Sequence, residues 1–101
     1  LIFNTLKGEK MSRTLLKQPM EMMQAIAEYV KSHGILVDTD KSDMDSYTGQ
    51  VGAHKVTVMY NLDEIARVDV DSDSSFAVDG KDVYCDQGDA TKLAMVYHEI
   101  G

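Results

Sequence analysis

Cysteine is almost missing from this chain: Cys85 is the only one in 101 residues. A lone thiol excludes an internal disulfide framework, leaves an intermolecular bridge open, and fits a reducing compartment. Long apolar runs are missing as well. None approaches the roughly 20 residues that span a bilayer, and no charged, apolar, small-residue leader is recognisable. The expectation from sequence is a cytoplasmic protein with no membrane partner. The signatures of common chemistries are missing too. With no GxGxxG and no GxxxxGK[ST], a nucleotide has no phosphate cradle. There is no CxxC, His98-Glu99 lacks the HExxH continuation, and His33, His54 and His98 are too dispersed for a zinc signature. No cofactor and no metal is expected.

What is present suffices for one domain with one core. Hydrophobic residues make up 44% and charged residues 27%, close to globular averages, so folding rather than disorder is the expectation. The chain opens on Leu1, whereas Met11 in KMSRTLL would make a natural start. On that reading residues 1–10, LIFNTLKGEK, are an N-terminal extension or expression-derived, and residues 11–101 are a single α+β domain.

The most legible stretch is Gln18 to Gly34, QPMEMMQAIAEYVKSHG. Pro19 suits the first helical turn, where its missing N–H has no partner to lose. Met22, Met23, Ile26, Tyr29 and Val30 recur at helical spacing on one side, and Gln24, Glu28 and Lys31 fall on the other. His33 suits the last turn. Gly34 is expected in a left-handed C-cap, with an apolar contact between Val30 and Ile35.

Before this helix, Ser12 to Lys17 reads as a short basic lead-in. After it, Ile35 to Val37 reads as a strand with a wet end, and Asp40 to Gly52, rich in turn formers, reads as a loop. From His54 to Leu62, Val56, Val58 and Tyr60 alternate with Lys55, Thr57, Met59 and Asn61. Ala66, Val68 and Val70 alternate with Arg67, Asp69 and Asp71. These are two amphipathic strands joined by a tight turn. Ser72 to Ser75 is a turn, and Asp79-Gly80 is the expected centre of a type I′ hairpin that sets Phe76 opposite Val83, with Cys85 on the same face. After DQGD, with Asp86 or Asp89 as N-cap, Ala90, Leu93, Ala94, Tyr97 and Ile100 recur as on a helix. The alternative for Leu93 to Ile100 is a closing strand. The fold class is therefore α+β: an N-terminal helix, a three- to four-stranded antiparallel sheet, and a C-terminal helix packed on one sheet face.

The net charge is −7, and all twelve aspartates lie between Asp38 and Asp89. With Glu64, that window holds thirteen acidic residues against four basic ones, and the flanks are slightly basic. Such a field repels nucleic acid and steers basic proteins toward it; its plainer meaning is solubility. Helix, sheet, helix is also the order of double-stranded RNA binding domains. They need a cationic second-helix N-terminus to hold phosphates, and Asp86 and Asp89 occupy that place here, so no direct nucleic-acid binding is expected.

Asp69, Asp71 and Asp73, if extended, would stand on one face at intervals of about 6.6 Å, a row able to imitate backbone phosphates. Asp38, Asp40, Asp43 and Asp45 would supply a second row. The same spacing opens a calcium loop at its first, third and fifth places, but Ser74 stands where glycine is required and Gly80 where a bidentate glutamate is. Cys85 with His54 or His98 would be a thin basis for catalysis, since a cysteine beside Phe76 and Val83 packs as a small apolar group. The methionines at 20, 22 and 23 offer an adaptable surface or core filling. The functional expectation is a small acidic, non-enzymatic protein-binding domain: an inhibitor or nucleic-acid mimic, phage or bacterial, acting on a basic nucleic-acid-binding protein. The alternative is a homo-oligomeric accessory subunit.

Overall fold

Apolar residues at helical spacing need a sheet to cover, and the sheet they find is larger than expected. The structure, a computed structural model, describes residues 13–15, 20–39, 44–86 and 89–101. In chain order its elements are β1 (Arg13–Leu15), α1 (Met20–His33), β2 (Ile35–Thr39), β3 (Met44–Val51), β4 (His54–Asn61), β5 (Glu64–Val70), β6 (Ser74–Asp79), β7 (Asp82–Asp86) and α2 (Ala90–Ile100). The strands form one antiparallel sheet in the order β1-β7-β6-β5-β4-β3-β2. Six of the seven strands lie between the helices, where three or four were expected. The expectations for residues 1–10, Met11, Pro19, Asp40 and Asp43 fall outside the described residues.

One face of the sheet carries both helices. Met23, Ile26, Ala27 and Val30 of α1 and Leu93 and Val96 of α2 are buried against Val56, Val58, Val68, Val70, Phe76, Val83 and Cys85. Strand alternation puts Thr48, Thr57, Arg67, Asp69 and Ser75 on the opposite face, where Thr48 and Thr57 meet hydroxyl to hydroxyl at 3.2 Å. The expected alternation is present in β4 and, from Arg67 to Val70, in β5. Before that a register shift sets Ile65 rather than the expected Ala66 opposite Tyr60 and against the core. α2 is a helix rather than a closing strand.

Four local expectations need correction. The stretch given to a loop contains β3, eight residues all paired with β4, of which Asp45 to Thr48 pair with β2 as well. Its turn-forming residues Ser46, Thr48 and Gln50 lie on the uncovered face, while Tyr47, Gly49 and Val51 face the helices; pairing on both flanks overrides weak strand propensity. The basic lead-in contains β1, which pairs with β7. The last hairpin turns at Gly80-Lys81, with Asp79 opposite Asp82 and positive φ at Gly80 alone. Phe76 therefore faces Cys85, and Val78 faces Val83. The shift is even in register, so the same residues still point to the core.

Gly34 is not a left-handed cap, because among the described glycines only Gly52 and Gly80 have positive φ. Its N–H continues to the Val30 carbonyl at 2.7 Å, and what requires glycine is proximity. A Cβ there would overlap the Thr48 carbonyl oxygen and lie 2.6 Å from that of Val30. Gly49 mirrors it, with its own Cβ position 3.2 Å from Gly34 Cα. Helix end and β3 thus meet backbone to backbone. Ile35, expected to fold back on Val30, is instead 66% exposed.

Candidate functional site

Of the seven aspartates singled out in the sequence, the five that are described do not form one surface. Asp71 and Asp73 fall in the turn after β5, and Asp69 stays within that strand. Asp71 (φ 57°) and Ser72 (φ 68°) take left-handed backbone there, which aspartate tolerates better than most residues. The straight row of three carboxylates is therefore broken at its centre.

Each of these carboxylates also has a cationic partner. The Asp69 carboxylate accepts from Arg67 Nε at 2.8 Å. Asp71 accepts from His54 Nδ1 at 2.8 Å and from the Lys55 backbone N–H at 3.0 Å, with Lys92 Nζ at 3.8 Å. Lys92 donates to Asp73 at 2.8 Å. The hydrogen bond from His54, then that from the Lys55 amide, holds the Asp71 carboxyl below its ordinary value, and the bond from Lys92 does the same for Asp73. The Lys92 ammonium is raised in return, chiefly by Asp73. These groups fasten the β5–β6 turn to β4 and α2. Among the described residues, no three His, Cys, Asp or Glu side chains converge as a metal-binding group.

Asp38 and Asp45 stand at the other end of the sheet, since Met44 pairs with Asn61 there while Val51 pairs with His54 at the end nearer the Asp71 turn. Asp38 belongs to β2, and Asp45 lies opposite Thr39 in the β2–β3 pair. Among the described residues neither has an ion-pair partner.

The strand that holds Asp38 is the feature the sequence reading undervalued. Among the described residues β2 is the last strand of the sheet, and every residue in it is exposed, including Leu36 at 52% and Val37 at 51%. An edge strand offers unpaired backbone N–H and C=O groups, and natural proteins blunt such edges with lysine, proline or a bulge. β2 has neither lysine nor proline. Its protection is a register shift between Leu36 and Asp38 and the charge of Asp38. Three consecutive apolar residues beside a helix end look like an ordinary buried strand in sequence. Only the strand order shows that, among the described residues, no further strand covers them.

The fold and this edge define the molecule as an α+β domain with helices on one sheet face. Comparison of the chain with protein-family models, curated proteins and solved structures finds no match.

Proposed function

We propose that the chain is a small, acidic, non-enzymatic protein-binding domain that captures an extended segment of a basic protein by adding it to the sheet beside β2. The observation that carries this reading is an exposed edge strand with three apolar residues and, among the described residues, no strand on its outer side. Strand addition takes affinity from main-chain hydrogen bonds and specificity from alternate side chains. The charge of −7 argues for a basic occupant and against a second copy of the same acidic chain. Asp38 and Asp45 flank the edge, with Asp40 and Asp43 between them in sequence. A partner that uses its basic segment for nucleic acid would be inhibited by this capture. With Asp69, Asp71 and Asp73 engaged internally, inhibition would come from occupying the partner's segment rather than from a carboxylate row resembling phosphates.

The test is binding of two synthetic strands, one alternating valine with lysine and one alternating valine with glutamate, followed by fluorescence anisotropy. The lysine strand is expected to bind at least about tenfold more tightly, and the difference to shrink with salt. Val37→Pro, which removes a backbone donor from the edge, should abolish binding while α1 and the core keep their thermal transition. Equal binding of both strands, or unchanged binding to the proline variant, would overturn the proposal. A dimer in sedimentation that the same variant dissociates would instead make the second copy the occupant.

A further inference from the structure

Between the first half of α1 and the turn joining β4 to β5 lies a cleft of about 500 Å³, within the usual range of roughly 300–1,000 Å³ for small-molecule sites. Its apolar wall comes from Met20, Ile65 and Val78, and its acidic rim from Glu28, Asp63 and Glu64. Tyr60 also lines it. The residue is 3% exposed, and its hydroxyl has no hydrogen-bond partner among the described residues. A buried hydroxyl without a partner is uncommon and calls for an explanation.

Burial, then the nearby Glu28 carboxylate, pushes the Tyr60 phenol up to about 12. It is therefore a neutral O–H, able to accept one hydrogen bond and donate another. The charge around it is lopsided. Lys31 already stands 4.7 Å from the ring centroid and 3.7 Å from Asp63. One ammonium is thus drawn to this corner, and three acidic residues line the cleft. A second cation is favoured there, and an anion is not. A bare metal ion is poorly suited, because half the wall is apolar and the central polar atom is a neutral phenol. An ammonium on a short hydrocarbon stem fits every group: N–H to the Tyr60 oxygen, charge to the carboxylates, stem to Met20, Ile65 and Val78.

The geometry points to a binding site for a primary alkylamine in this cleft, with its ammonium at the Tyr60 hydroxyl among Glu28, Asp63 and Glu64. The site is separate from the β2 edge, so it stands or falls apart from strand capture.

The test is a titration of the full chain with n-hexylammonium, read by amide chemical shifts, beside hexanoate and hexanol at constant ionic strength. Saturable shifts are expected for hexylammonium, centred on the first half of α1 and on residues 60–65. Tyr60→Phe should weaken binding about tenfold, the loss expected for one hydrogen bond to a charged group, and its unperturbed spectrum elsewhere would show that the fold is intact. Glu28→Gln, an exposed change with little effect on folding, should weaken it as well. No saturable shift with hexylammonium, hexanol binding as tightly as the amine, or unchanged affinity in Tyr60→Phe would each overturn the proposal.

Discussion

At the scale of single residues, backbone conformation separates positions that look alike in sequence. Gly34 and Gly80 are both glycines at the end of an element, yet they are glycine for different reasons. Gly34→Ala drives a Cβ into two carbonyl oxygens and is expected to cost at least about 2 kcal/mol. Gly80→Ala meets no atom within 4 Å but must hold φ at +66°, at a cost of about 1 kcal/mol. Chemical denaturation of the two variants checks the order. Leu62, 69% exposed, holds a positive φ of 53° in the β4–β5 turn, so Leu62→Asn should gain about 0.5–1 kcal/mol in the same measurement.

Asp71 yields a prediction with a definite pH sign. Its folded value lies below the ordinary 3.8, so its contribution is present above that value and is lost as pH falls through the lower, folded one. Melting curves of Asp71→Asn should show a lower Tm than wild type at neutral pH and a shallower decline below about pH 4.

At the scale of elements, pairing and docking decide what propensity leaves open. α2 begins after Asp89, whose backbone is αR (φ −84°, ψ −11°) and whose side chain makes no capping bond. The helix is held by Leu93 and Val96 in the core and by Lys92 on the β5–β6 turn. Asp89→Ala is therefore expected to cost less than about 1 kcal/mol, only its charge at the helix N-terminus being lost. Phe76→Ala, in the fully buried centre of β6, should cost about 3–5 kcal/mol. Comparing the two by urea unfolding separates what holds α2 from what holds the sheet. Legibility varied in the same way. β4 and β5 were plain because Val56, Val58, Val68 and Val70 alternate with polar residues. β3 was hidden because its uncovered face is built of serine, threonine and glutamine, and its covered face includes Gly49, chosen for closeness to Gly34 rather than for strand propensity.

At the scale of the molecule, a negative chain carries an exposed edge strand, β2. Charge repulsion and edge pairing oppose each other, and their balance depends on pH. Near the isoelectric point of about 4.7 repulsion vanishes while β2 stays exposed. Light scattering should therefore show self-association rising toward that pH, and Val37→Lys should suppress it without lowering Tm at neutral pH. Equal association of variant and wild type would place the sticky surface elsewhere, with the exposed Met95 face of α2 as the next candidate.

By itself the sequence determined the fold class, both helices, the core faces of β4 to β7 apart from the start of β5, and the net charge, because periodicity and composition are local properties that tertiary contacts did not overturn. Only the tertiary structure decided how many strands pair, which strand is left at the edge, and which aspartates are engaged. Those depend on residues far apart in the chain: Lys92 reaching Asp73, His54 reaching Asp71, β1 joining β7. The same holds for the Tyr60 hydroxyl. Its ring was expected on the core face, but the absence of a partner among the described residues is set by what α1 and the β4–β5 turn place around it.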